Sequence, residues 1–448
     1  MKTKICIFGM VLLALISLSG SAFGTIYTIH PDGSGDFATV QAAVDSAVDG
    51  DLIELTDGSF SGRGNKDISY AGKAITIRSQ SGNAEACIID VEGEYDMVSQ
   101  RGFIFDNDEG NESVLSDLTI INGVADAPCP DCDGGGVYTH NSSPTISNVT
   151  FIGNFAAAGG AIGSVGGSPV INDCRFSDNE AFNGGALYFF ENCSATVTGC
   201  LIYRNLATMK GGAISAQSNP VLVNIINCTI SNNQAPAGGG IESWESEFDI
   251  LNTIISFNGE GEAIFLYESP NVTFAYSDIF GNTGGDWIGD ISDQLGIDGN
   301  ISDDPLYADT VNNDFNLTVD SPCINAGDPD SPQDPDGSRA DMGALFFDLN
   351  AAVDDNPYSH PVRISLSQNY PNPFNAYTTI TYSVPEPTHI TLKVYDMLGR
   401  EVQTLIDGYN QAGSNTVLFD ASGLSSGVYF YRLKIGQYLE SKRLLLLK

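Results

Sequence analysis

Between Gly134 and Asn282 the apolar and polar positions recur with a period of about two dozen residues. Asn154, Asn179, Asn205, Asn233, Asn258 and Asn282 lie 25, 26, 28, 25 and 24 residues apart. Three residues before each Asn stands an apolar residue: Phe151, Phe176, Ile202, Ile230, Ile255 and Ile279. Five or six residues after the first four comes a glycine pair: Gly159-Gly160, Gly184-Gly185, Gly211-Gly212 and Gly238-Gly239. Ile162, Leu187, Ile214 and Ile241 follow these pairs. Gly135-Gly136 before Val137 reads as the first of the series, and Gly261 before Ile264 as a worn last one.

A period of this length marks a solenoid or an array. Within each period the residues are β-branched and punctuated by Gly, Asn and Ser, with no apolar repeat of 3.6. That predicts short strands and not paired helices. Roughly 25 residues suffice for three short strands joined by tight bends, with coils stacked about 4.8 Å apart. Equivalent positions then form columns. Asn tolerates a left-handed backbone at a bend, Gly more so, and stacked Asn side chains can hydrogen-bond up and down the column. The fold class predicted is all-β, a right-handed parallel β-helix over residues 25–350.

The flanks differ. Met1 to Gly24 has a Lys2/Lys4 start, an apolar run from Ile5 to Leu18 and small residues before Ala22-Phe23-Gly24. This is the pattern of a cleaved secretory signal, and the run is short for a membrane span. From Asp32 to Leu55 a short amphipathic helix is predicted, with Val40, Ala43, Val44 and Ala47 on one face. It would plug the open end of the stack, as solenoid ends require. "GKAITIRSQ" and "ACIID" are early strands. Ser321 to Phe347 is turn-rich and acidic, a closing segment. Residues 351–365 form a polar linker with Pro357 and Pro361. Residues 366–448 alternate apolar and polar positions over about seven short strands, the pattern of a small β-sandwich of Ig-like type.

Two stretches carry resemblances. "FIGNFAAAGGAI" and "FSDNEAFNGGAL" resemble the repeats of β-helical surface proteins, including the polymorphic outer-membrane protein family. The coil region as a whole resembles the pectate-lyase-like superfamily, and its opening is similar to that of pectin methylesterases. The C-terminal segment resembles the type A sorting domain of the type IX secretion system, through "YPNPFN" (Tyr370 to Asn375), "VYDMLGREV" (Val394 to Val402), "LSSGVYFYRL" (Leu424 to Leu433) and "KRLLLLK". That resemblance implies a Gram-negative bacterium of the Bacteroidota or allied phyla. It also implies passage through the outer membrane by the type IX machinery, with release or attachment at the cell surface.

Charge narrows the partners. Of 56 acidic and 19 basic residues, 50 and 10 lie between Thr25 and Ser365, whereas 6 and 7 lie from Leu366 onward. So acidic a body repels nucleic acid and anionic membrane, and polyuronate as well unless calcium bridges the two. It equally serves as a soluble surface for an exported monomer. Eight of the nine cysteines follow Cys6, in an oxidising compartment. Cys174, Cys200 and Cys228 each precede a ladder Asn by five residues and should stack in one interior column, as thiols or with one pair bridged. Cys129 and Cys132 ("CPDC") favour a local disulfide over zinc, since no second ligand pair follows at zinc spacing.

Strand alternation places candidate chemistry. With Val137, Ile162, Leu187, Ile214, Ile241 and Ile264 inward, the outward positions gather Tyr138, His140, Tyr188, Phe190, Glu242, Trp244, Phe265 and Tyr267. Glu191, Glu245 and Glu268 lie at the edge of this face. Exposed aromatics suit stacking on sugar rings, and carboxylates suit sugar hydroxyls; the same content also fits an ordinary sheet under a covering loop. Asp328, Asp330, Asp334, Asp336 and Asp341 supply hard oxygens of the kind calcium takes, although not at EF-hand spacing. Metal-free turns use the same residues. The paired "N-T-D … G-H-G … R-I-K" motifs of polygalacturonases are absent, as are the catalytic Gln and Asp segments of pectin methylesterases and any lyase-like arginine cluster. The expectation is a non-catalytic glycan-binding or adhesion protein of the cell exterior. The alternative is a secreted polysaccharide lyase or glycoside hydrolase, in which two carboxylates would flank the sugar.

Overall fold

The computed structural model describes residues 24–349 except 96, 97, 130, 269 and 270, and residues 365–446 except 367, 368, 370, 371, 373, 385–387, 398, 411, 412 and 437. The expected signal segment and most of the expected linker lie outside the described residues. The chain forms two compact units, divided between Asp348 and Leu349.

The first unit is a parallel β-helix, and from Val124 onward its repeating coils have four sides where the sequence predicted three. One coil runs Ile162–Gly167 (side 1), Val170–Asn172 (side 2), Arg175–Ser177 (side 3) and Glu180–Asn183 (side 4). Side 4 stacks six strands and side 3 nine. The fourth side left little trace in the sequence because its inward residues are small: Ala156, Ala181, Ala207 and Ala235 are all fully buried. Registers match the repeat. On side 1, Val137, Ile162, Leu187, Ile214, Ile241 and Ile264 pair in succession, all buried. On side 3, Phe151 stacks on Phe176 with ring centroids 5.0 Å apart, and Ile202, Ile230, Ile255 and Ile279 continue that core column.

The asparagine ladder exists. Asn154 Nδ2 donates to Asn179 Oδ1 at 2.9 Å, and each following ladder Asn does the same to the next, ending at Asn282. Each Oδ1 also accepts the backbone N–H of the Asn in the preceding coil. Asn282 closes the series by donating to Asp286 Oδ1 at 2.8 Å. The ladder residues are not themselves left-handed. The residue before each one is: Gly153, Asp178, Arg204, Asn232, Phe257 and Gly281, with φ between 56° and 71°. This turns the chain so that the Asn side chain points into the stack.

The glycine pairs divide two tasks. Gly184 is left-handed (φ 62°), and a Cβ on Gly185 would lie 2.2 Å from Gly212 O in the neighbouring coil. Pairing of Val137 with Ile162 makes Gly134-Gly135 the first such pair, one residue earlier than the sequence implied. Gly261 lacks the left-handed backbone of the others.

Cys174, Cys200 and Cys228 occupy one fully buried column as free thiols. The column continues in oxygen. Cys228 N–H donates to Thr253 Oγ1, Thr253 N–H to Ser277 Oγ and Ser277 N–H to Asn300 Oδ1, all at 3.1–3.2 Å. Cys129 and Cys132 form a disulfide.

Both ends are plugged. The helix Val40–Ser46 buries Val40, Ala43 and Val44 and is capped by Thr39 Oγ1, which accepts from Ala42 N–H. Thr76–Ser79 and Cys87–Asp90 are strands, as predicted. At the other end Trp287 packs edge-on against Phe274 at 5.1 Å and donates to Ile301 O, and Gln294 bonds the Phe274 N–H and Val272 O. The closing segment then runs back along the outside of side 3. Phe315 packs on Tyr203, Tyr307 on Phe257, and Ala344 N–H donates to Thr229 Oγ1.

Among the described residues the second unit has seven strands in two antiparallel sheets. Ser365–Leu366, Tyr377–Val384 and Gly413–Asp420 form one; Thr388–Asp396, Glu401–Asn410, Gly427–Ile435 and Tyr438–Leu446 form the other. Ile380, Tyr382, Leu392, Val394, Phe419 and Tyr431 are among its core residues.

Candidate functional site

The outer face of side 1 holds the predicted aromatic residues together. Tyr138 and His140 stack at 6.4 Å, Tyr188 and Phe190 at 5.9 Å, and Phe265 and Tyr267 at 6.4 Å. Trp244 meets Tyr267 edge-on at 6.1 Å. The spacing follows from strand alternation, which brings residues i and i+2 to one face. The face is not uniformly open. His140, Trp244 and Tyr267 are exposed, whereas Tyr188 and Glu242 are buried although they point outward.

Glu242 is the focus of this face. It is 0% exposed. Its Oε2 accepts from Ser215 Oγ at 2.6 Å and from Gln217 Nε2 at 3.3 Å. Its Oε1 has no hydrogen-bond partner. Burial pushes its carboxyl above the ordinary range, against the Ser215 and Gln217 hydrogen bonds and the Lys210 charge. Tyr188 donates to Gln217 Oε1 at 3.3 Å; burial, then the negative Asp133, Glu242 and Glu191, raise its phenol.

Lys210 completes the group. Its Nζ lies 5.3 Å from the Phe265 ring centroid, 5.4 Å from that of Tyr267 and 5.8 Å from that of Trp244. These are cation–π distances. Lys210 is not among the outward residues that strand alternation predicts. Its signal was present: Gly211 follows Asn205 by six residues, where the other glycine pairs follow their Asn by five. The extra residue interrupts the side-4 register between Ala181 and Asn183. At the rim, Trp244 Nε1 donates to Glu268 Oε2 at 3.1 Å. Glu191, Glu245 and Glu268 all sit at left-handed bend positions and are exposed.

At the other end of the face Arg101 lies over the Tyr138 ring at 5.0 Å. It pairs with Asp131 at 2.7 Å and donates through Nε to Asp133 O. Asp133 is pushed up to about 6 by burial, opposed by the Arg101 charge. Arg101 was not legible as a site residue because it lies before the repeat begins.

Four of the five candidate calcium aspartates accept backbone N–H groups of turns; Asp330 contributes its own N–H. Asp328 Oδ1 accepts Asp330 N–H, Asp334 Oδ2 accepts Asp341 N–H and Asp336 Oδ1 accepts Ser338 N–H. Asp341 accepts Asn325 N–H and Phe347 N–H. Asp334 is pushed up to about 6 by burial and by the neighbouring Asp341 and Asp336 charges. Among the described residues no group of three or more His, Cys, Asp or Glu side chains is placed to hold a metal ion.

Comparison with known proteins agrees with this architecture. Residues 190–326 match the family described as "Right handed beta helix region", and residues 368–447 match the "Secretion system C-terminal sorting domain". A metabotropic glutamate receptor-like protein R of Dictyostelium discoideum is 28% identical over 184 residues. That match covers 38% of this chain and 11% of the relative, so the chain spans about a tenth of that protein's length. Among solved structures, pectate lyase Pel9A is 16% identical with a TM-score of 0.38, covering 73% of this chain and 97% of the lyase. A pectin methylesterase from carrot is 15% identical with a TM-score of 0.33, covering 59% and 85%. The chain thus carries a right-handed parallel β-helix followed by a sorting domain. It is a secreted β-helix protein, exported through the type IX secretion machinery that such a tail engages. Among the described residues no helix is long and apolar enough to cross a membrane.

Proposed function

We propose that the protein is a non-catalytic glycan-binding or adhesion protein of the cell exterior, with the outer face of side 1 as its recognition surface. The observation that carries this reading is the exposed Trp244–Tyr267 pair, fixed on strands that cannot shift without breaking the stack. Rigid aromatic platforms bind pyranose faces at little entropic cost. Binding of the full-length protein to a glycan array tests it. Trp244→Ala is expected to lower affinity at least tenfold with an unchanged melting temperature. Binding to no glycan, or binding indifferent to Trp244, overturns the reading.

One observation favours the second reading, a polysaccharide lyase or glycoside hydrolase. Glu242 is buried with its carboxyl raised, as a general acid would be. Depolymerisation of any polysaccharide, with or without calcium, that Glu242→Gln abolishes would replace the binding function with an enzymatic one.

A further inference from the structure

We infer that the Glu242 end of this face selects glycans bearing free amines, hexosamine units whose ammonium group displaces Lys210 from its ring cage and meets the unpartnered Glu242 Oε1. The inference rests on the glycan-binding reading and names its ligand class.

Three observations carry it. First, a carboxylate oxygen is fully buried with no donor, and a buried acceptor without a partner is costly and rare in native structures. A donor from outside the chain would satisfy it, and a cationic donor would do so best. Second, Trp244, Phe265 and Tyr267 already surround an ammonium, that of Lys210. The cage therefore has the dimensions for a primary amine. Lys210 Nζ makes no ion pair within 4 Å of Glu242, so the caged charge leaves the orphan oxygen unsatisfied. Third, the rim is acidic. Glu245 and Glu268 flank the cage in an anionic chain of net charge −37, which attracts cationic polymers and repels polyuronates.

Lys210 can leave without damage to the coil. Its backbone is held, with Lys210 O accepting from Gly184 N–H at 3.0 Å, but its side chain extends from the one-residue insertion at this bend. A ligand ammonium is not tethered to the Lys210 backbone, so it can move from the Lys210 position toward Glu242 Oε1 while staying against the rings. An N-acetylated sugar supplies no charge for Glu242, and a uronate places a like charge beside it.

Calorimetric titration of the full-length protein with glucosamine oligomers tests this against their N-acetylated counterparts, oligogalacturonate and oligolysine. The deacetylated oligomer is expected to bind at least tenfold more tightly than the acetylated one. Glu242→Gln should remove that preference. Lys210→Ala should strengthen amine binding severalfold by emptying the cage, and it does not depend on a buried substitution folding correctly. Equal binding of the two oligomers, or weaker binding by Lys210→Ala, overturns the inference while leaving glycan recognition in place. Oligolysine binding as tightly as the amino sugar overturns the sugar assignment. Binding to none of these ligands, nor to any arrayed glycan, overturns both readings together.

Discussion

Asn205 shows how much one side chain can hold. Its Nδ2 donates to Asn233 Oδ1, Phe176 O and Tyr203 O, and its Oδ1 accepts from Asn179 N–H and Nδ2. Asn205→Ala strands buried donors and an acceptor and is expected to cost roughly 2–4 kcal/mol in chemical denaturation. Asn205→Asp, of equal size, should be no better, since it faces Asn233 Oδ1 with a second acceptor. Asp278 gives a second expectation. It is fully buried, takes the Asp303 N–H and the Cys323 thiol, and is pushed up to about 7 by burial, with the Asp303 and Asp286 charges adding to the rise. The folded state then binds its proton more tightly than the unfolded chain does. The stability contributed by this group falls as pH rises from about 4 to 7. Asp278→Asn should flatten that part of a melting-temperature profile and stabilise the protein at pH 8 by roughly 1–3 kcal/mol. The ladder asparagines were legible because one residue type recurs and the column needs both a donor and an acceptor. The left-handed positions before them were not, because Gly153, Asp178, Arg204, Asn232 and Phe257 share only a backbone angle. Glu242 stands in the outward set yet is buried, held by Ser215 and Gln217 of the neighbouring coil, which no local pattern records.

At the scale of elements, the two end plugs decide whether the stack stays single. A coil end presents unpaired strand edges and the apolar interior, a template for association. Trp287→Ala removes the side chain that covers Phe274 and is expected to cost about 3–5 kcal/mol. Light scattering during thermal unfolding should show aggregation at a lower temperature than for the parent. The N-terminal plug was visible in advance, since Val40, Ala43 and Val44 repeat at helical spacing. The C-terminal plug was not, because Trp287 precedes, and Ile291 and Gln294 lie in, a short 3-10 turn with no periodicity. The closing segment was recognised by its turns, but its path along side 3 depends on isolated anchors such as Phe315 and Tyr307.

Over the whole molecule, the charge and the tail work in sequence. The sorting domain carries 6 acidic and 7 basic residues beside a body holding 50 and 10, so the strongly anionic part is the cargo. A chain truncated after Asp348 retains the complete coil stack and its closing segment. It is expected to fold but to accumulate in the periplasm, and cell fractionation of producing cells checks this; truncated chain outside the cell at parental levels would contradict the role of the tail. The shared ladder of successive coils carries a consequence for descent. Because Asn154 through Asn282 join each coil to the next by the same bonds, duplication of one two-dozen-residue stretch inserts a ready-made slice. The rod lengthens by about 4.8 Å and no new interior has to be invented. The length of the stack is therefore a quantity that gene duplication can adjust in single steps.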